Sequence, residues 1–282
     1  MRPEPRSIGR DDPDYPEGLR DLPDRPASVF VRGVWPVARE AIAVVGSRAA
    51  SPYGAEQAGR LAADLARLGY PVVSGLARGI DAAAHRGTLS AGGATVAVLP
   101  GGLDAITPRY HRGLAEEIAR HGALLTEVPS GEPRFRGDFV RRNRLIAALA
   151  RATVVVEAAE ASGALHTAAA ARRLGRPVLA VPGDIDRPTS RGCHRLIRGG
   201  AKLCESARDV VDALGPSAGP PGGPEGRLLA VLAQRPEAVE HLARRSGLAV
   251  EAALAALLGL EWAGVATSHP GQRWSRTSRV SR

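Results

Sequence analysis

The sequence predicts a doubly wound α/β domain followed by a small winged-helix module, and three observations predict it. Short apolar runs alternate with helical spacing from residue 42 to about 199, most of those runs are closed by glycine, serine or arginine, and a Gly/Pro-rich segment at 215–225 separates them from three short helical patterns. Repeated strand–helix units of this kind stack into a parallel sheet with helices on both faces.

The elements follow in order. Residues 1–39 are rich in Pro, Asp and Arg with one apolar patch, Ser28-Val29-Phe30-Val31, and read as an extended lead-in to a sheet. Ile42-Ala43-Val44-Val45 is a continuous apolar run, the pattern of a strand buried on both faces. After Gly46-Ser47-Arg48, Ser51-Pro52 supplies a capping residue and a proline for the first helical position. Ala58, Leu61, Ala62, Leu65 and Leu68 then recur at helical spacing until Gly69, and Pro71-Val72-Val73 begins the next strand. Further helical patterns fall at 80–90, 110–120, 141–150, 163–174 and 192–199, with strand patterns at 95–99, 123–127, 153–157 and 178–181. The domain therefore spans 40–214. Beyond the linker, residues 226–282 hold three short helices and a terminal segment with Trp262, Val265 and Trp274, the content of a winged helix.

In a doubly wound sheet ligands bind outside the carboxyl ends of the strands. Here that rim collects Gly46-Ser47-Arg48, Ser74-Gly75, Pro100-Gly101-Gly102 and Pro182-Gly183-Asp184. The chain carries a formal charge of +9, which favours an anionic partner such as nucleic acid. Lys202 is the only lysine, so arginine bias accounts for part of that charge. Residues 226–282 carry eight arginines against four glutamates, compatible with nucleic acid without establishing it. Cys193 and Cys204 have neither metal-ligand spacing nor the density of a disulfide scaffold. With no apolar leader and no apolar run of about 18 residues, a soluble cytoplasmic protein away from membranes is expected.

The stretch Phe139-Val140-Arg141-Arg142-Asn143-Arg144 runs into Leu145-Ile146-Ala147-Ala148-Leu149-Ala150, which reads as helix. Three arginines then fall at a helix N-terminus, where each cation costs about 0.3–1 kcal/mol unless an anion faces it. An anionic ligand and plain arginine bias both account for this. Two of the chain's three phenylalanines, Phe135 and Phe139, lie here beside arginine. Stacking on a splayed base and a core staple at the helix entry both account for Phe139. No G-x-G-x-x-G, P-loop, nucleophile elbow or His-based metal pattern occurs, so no catalytic residue, cofactor or metal is expected.

Taken together, several blocks resemble the DNA-processing protein A (DprA/Smf) family. They are Val45-Gly46-Ser47-Arg48, SGLARGIDAAAH at 74–85, AVLPGGLDAITP at 97–108, FVRRNRLIAALA at 139–150, VVVEAAEASGALHTA at 154–168, AVPGDI at 180–185 and SRGCHRLIRGGA at 190–201. The resemblance implies an extended Rossmann-like, mostly parallel sheet that binds single-stranded DNA, forms a homodimer and loads RecA recombinase onto the strand. Single-strand-binding protein is a further implied partner, and natural transformation the implied setting. By the same resemblance the DNA pocket falls on Gly46, Ser47, Arg48, Arg136, Phe139, Asn143 and Arg144, with Ser162 and Gly163 at another helix start. Arg141 and Arg142 add positive field.

The chain departs from the family in three places: Val140 replaces the usual proline, Thr107 stands where an aromatic residue is usual, and the helical domain that often precedes the core has no counterpart, as a late start codon would produce. Two rival readings remain. One is a nucleotide enzyme of the related phosphoribohydrolase type, which needs P-G-G-x-G-T and a glutamate where this chain has residues 157–167 with Ser162-Gly163. The other makes the winged helix the main DNA reader.

Overall fold

The computed structural model describes residues 4–35, 40–132, 135–215, 224–262 and 266–277. The chain divides into two compact units, Met1–Leu214 and Gly215–Arg282.

The first unit runs β1 (Arg6–Gly9), β2 (Ser28–Gly33), β3 (Ile42–Val45), α1 (Pro52–Arg67), β4 (Val72–Ser74), α2 (Ile80–Ser90), β5 (Thr95–Val98), α3 (Arg112–His121), β6 (Ala123–Thr126), α4 (Arg136–Leu149), β7 (Ala152–Val155), α5 (Ala164–Arg173), β8 (Val178–Ala180), α6 (Arg191–Arg198), β9 (Lys202–Leu203) and α7 (Ala207–Leu214). These strands form one sheet in the order β1-β2-β6-β5-β4-β3-β7-β8-β9. From β6 to β9 every pairing is parallel, while β1 and β2 add antiparallel at one edge.

The register explains the unbroken apolar run of β3. Ala43 and Val45 join one core, with Leu145, Ile146 and Ala168, whereas Ile42 and Val44 join the opposite one, with Leu61, Leu65 and Ile80. Successive side chains point to opposite faces, and both faces are covered. At the cap of α1, Ser51 Oγ accepts from the Gly54 N–H at 3.0 Å, and Pro52 stands in the first turn, as predicted.

Three expectations change. The lead-in is part of the first unit: it supplies two strands, and Tyr15, Leu19 and Leu22 are buried in the same core as Leu145. A ninth strand and α7 lie in a stretch for which the periodicity predicted neither. Helix α4 begins at Arg136, a full turn before residue 141.

The second unit runs α8 (Pro224–Val231), β10 (Glu237–Ala238), α9 (Val239–Ser246), α10 (Val250–Trp262), β11 (Ala266–His269) and β12 (Arg273–Arg276). Its sheet order is β10-β12-β11. Leu228, Leu242, Leu257 and Trp274 are buried in its core. Helix, short strand, two helices and a two-stranded wing make a winged helix. Of the predicted linker, residues 216–223 lie outside the described residues, as does Val265.

Candidate functional site

From β3 the chain winds through β4 and β5 to β6 on one side, and from β7 through β8 to β9 on the other. The winding reverses between β3 and β7, the place where an α/β sheet leaves a crevice at its carboxyl rim. A cleft of about 790 Å³ opens there, lined by Gly46, Ser47, Arg48, Phe139, Asn143 and Gly163 among others.

The turn after β3 is fixed by the backbone. The Ser47 N–H donates to the Glu157 carbonyl at 2.7 Å, and the Ser47 carbonyl accepts from the Ile80 N–H at 3.1 Å. Between them Gly46 has no room for a side chain, because a Cβ would stand 2.6 Å from Ile80 Cγ1 and 2.8 Å from the Glu157 oxygen. The buried Glu157 carboxylate accepts from the Ser51 N–H at 2.9 Å and from its hydroxyl at 3.3 Å. That charge sits at the start of α1, where a helix favours an anion. Arg48 projects into solvent with its guanidinium carbon 4.7 Å from the Phe139 ring centre, a cation–π arrangement joining the β3 turn to α4.

Helix α4 carries the other side. Its start is held by the Asp138 carboxylate, which accepts from the Phe135 N–H at 2.6 Å. An acid therefore occupies the first turn, and Arg141, Arg142 and Arg144 lie beyond it, where the helix dipole has faded. The penalty expected for those three arginines does not arise. Arg136 opens the helix, and its side chain lies outside the described residues. Val140 keeps a backbone N–H that proline would lack, and the helix runs through it.

The four polar residues at 141–144 have separate tasks. Arg142 is only 4% exposed and does not offer a free cation to the cleft. Its guanidinium donates to the Gly75 carbonyl at 2.8 Å and to the Val98 carbonyl, and Gly75 must lack a side chain because a Cβ would lie 2.6 Å from the guanidinium carbon. Burial draws the Arg142 pKa down to about 10, against the attraction of Asp81, so it stays charged at neutral pH. Asp81 accepts from the Gly75 and Ala77 N–H groups at 3.1 and 3.3 Å, and burial pushes its carboxyl above the usual range despite Arg142 and those bonds. Asn143 bridges: Oδ1 accepts from Arg142 Nε at 3.3 Å and Nδ2 donates to the Gly163 carbonyl at 3.1 Å, linking α4 to the turn before α5.

Arg144 is likewise committed. It meets Glu127 through two nitrogens at 3.1 and 2.9 Å and Asp24 at 2.6 Å. Burial opposes its charge, but those bonds outweigh burial and hold its pKa above the ordinary value; Asp24 is held low mainly by its hydrogen bond from Arg144. Arg141 is exposed and 3.4 Å from Glu127. Ser162 and Gly163 lie at the cleft wall, where Ser162 Oγ accepts from the Ala164 N–H at 3.4 Å. Sequence reasoning assigned no task to Asp81 or Glu157. An acid inside a glycine-rich turn, as in SGLARGID, was the available signal for the first.

Among the described residues no group of three or more His, Cys, Asp or Glu side chains could hold a metal ion, and no helix is long and apolar enough to cross a membrane. Burial pushes both cysteine thiols up to about 12, which leaves them inert.

Comparison with known proteins gives concordant matches. The family model for DNA recombination-mediator protein A matches residues 6–215, and that for the DprA winged helix domain matches 212–272. A putative DNA processing protein DprA from Mycobacterium tuberculosis is 47% identical over 253 residues, 84% of this chain and 64% of the relative, so the match spans less than two thirds of that relative's length. The X-ray structure of DNA processing protein A from Streptococcus pneumoniae superposes with a TM-score of 0.69 at 39% identity, covering 73% of each chain. DNA processing protein A from Helicobacter pylori, whose structure concerns its single-stranded DNA binding mode, superposes with a TM-score of 0.67 at 25% identity, covering 76% of this chain and 98% of that one.

Proposed function

The chain belongs to the DNA recombination-mediator protein A family, and from that premise we propose that it binds single-stranded DNA in the switch-point cleft and delivers the strand to a RecA recombinase without catalysing a reaction. The observation that carries the reading is the Arg48–Phe139 pair: an exposed guanidinium with no carboxylate partner among the described residues, set over an aromatic ring at the cleft mouth. A phosphate would meet the cation, and a base could stack on the ring. The turn at Gly46 and Ser47 and the cleft wall at Ser162 and Gly163 would frame the strand. In this reading Arg142 and Asn143 position the site, Arg144 braces α4, and Arg141 adds field. Assembly as a homodimer, cooperation with single-strand-binding protein and a cytoplasmic setting belong to the same proposal.

A fluorescence-anisotropy titration with oligo-dT and with duplex DNA across a salt series tests it. Arg48→Ala should weaken single-strand binding and reduce the log–log salt slope by about 0.7, one phosphate contact. Phe139→Ala should weaken it by about 1–3 kcal/mol with the slope unchanged, since stacking releases no counterions. Binding indifferent to both substitutions would refute the cleft. RecA delivery is tested by strand exchange in the presence of single-strand-binding protein.

Two observations weigh against the rival readings. Glu157, in the 157–167 segment where a phosphoribohydrolase would need its glutamate, is buried and committed to the Ser51 N–H and hydroxyl, and Ser162-Gly163 stands there in place of a P-G-G-x-G-T block. Free base released from nucleoside monophosphates would overturn the non-catalytic reading. Helix α10, the recognition helix of a winged fold, contains two glutamates and no Arg, Lys, Asn or Gln to read base edges.

A further inference from the structure

Beyond the cleft, the carboxyl rim continues past β4 to β5. Ala77 lines the cleft, and the next residue, Arg78, is exposed. Leu76, just before, is turned into the left-handed region (φ 57°), and its carbonyl accepts from His111 Nδ1 at 2.9 Å. That bond fastens the turn after β4 to the short 3-10 turn Arg109–His111. His111 is buried, and the Tyr110 ring stands edge-on against it with centroids 4.8 Å apart, yet Tyr110 itself is 68% exposed. A buried imidazole thus braces an aromatic face held out in solvent.

Arg109 and Arg112 flank that face and are exposed. Among the described residues neither they nor Arg78 meets a carboxylate, whereas Arg32, Arg67, Arg151 and Arg176 are each paired with one. Asp104, the acid of the same connection, accepts from the Gly131 N–H at 3.2 Å. An isolated exposed tyrosine needs no explanation. A braced one with exposed arginines at 109 and 112, tied through the Leu76–His111 bond to the turn that carries a third at 78, a single residue from the cleft lining, has the composition of a single-strand platform.

We propose that Tyr110, with Arg78, Arg109 and Arg112, forms a second stacking platform that takes the next nucleotides of the strand entering the cleft. The proposal rests on the cleft reading and extends it: the strand runs along the carboxyl rim from Phe139 and Arg48, past Arg78, to Tyr110.

Anisotropy titrations of the full chain with oligothymidylates of about 4 and about 16 nucleotides test it, spanning the usual site sizes of single-strand modules. Tyr110→Ala should weaken the longer oligomer about 5- to 100-fold and leave the shorter one unchanged, while Tyr110→Phe should bind both as the parent does. Arg109→Ala with Arg112→Ala should lower the salt slope of the longer oligomer by about 1.4 and that of the shorter by nothing. Equal losses on both lengths, or none on the longer, would overturn the platform. Should Arg48→Ala leave both lengths unaffected, the cleft reading fails instead, and Tyr110→Ala still decides the platform separately.

Discussion

At the scale of single residues, identical side chains in one short stretch acquire different tasks from their surroundings. Arg48 and Arg144 are the same chemical group, yet one points into solvent over an aromatic ring and the other is enclosed by two carboxylates. Arg144→Ala should therefore act first on stability. It leaves Glu127, 9% exposed at its side chain, without its bidentate partner, and frees α4 from Asp24. A loss of about 1–3 kcal/mol is expected, read as a lowered melting temperature, with oligo-dT affinity of the folded variant less affected than by Arg48→Ala. His85 sets a second expectation. It is fully buried, and because the Thr95 hydroxyl donates to the Val72 carbonyl, His85 Nδ1 must donate to Thr95 at 2.7 Å. Burial, with His111, Arg142 and Arg86 nearby, depresses its pKa from 6.5 to about 3. A depressed folded-state pKa means that stability is present above pH 6.5 and is lost as pH falls toward 3, close to tenfold in the folding constant per pH unit. His85→Gln cannot take up that proton. Its melting temperature should be lower at pH 7 but fall less steeply than the parent's between pH 6.5 and 4, measured by thermal melts.

At the scale of elements, the site is made by turns closing onto neighbours that sequence places far away. The β3 turn is stitched to Glu157 and Ile80, and the β4 turn is filled by Arg142 from α4. Gly46→Ala would drive a methyl group into the Glu157 carbonyl and Ile80. Overpacking of this kind costs about 1–3 kcal/mol and would displace the Arg48 turn. We expect a lower melting temperature together with weaker oligo-dT binding, whereas a neutral effect on both would show that the turn relaxes freely. The start of α4 illustrates how an element boundary escapes periodicity. Residues 136–140 carry no apolar stripe, and the helix extends back to Arg136 because Asp138 satisfies the Phe135 N–H and because Val140, unlike proline, donates a backbone hydrogen bond.

At the scale of the whole molecule, every described cleft residue lies in the unit Met1–Leu214, and the recognition helix of the second unit carries no Arg, Lys, Asn or Gln. Deleting residues 215–282 should leave most of the oligo-dT affinity in place; loss of most of it in a chain that still melts cooperatively would move the DNA site to the winged helix. Periodicity, capping chemistry and motif blocks are local, so the order of elements from β3 to α6, the two-sided burial of β3, the Ser51-Pro52 cap and the family were legible in the chain itself. Gly46, Ser47, Arg48 and Phe139 were legible there as candidates, through a glycine-rich strand exit and an aromatic residue beside arginine. Which arginines are free is settled by the fold. Arg142 is satisfied by carbonyls 67 and 44 residues away, and Arg144 by Asp24 at a separation of 120. A cation's availability depends on partners that the winding of the sheet brings to it, and no local pattern at 139–144 encodes those partners.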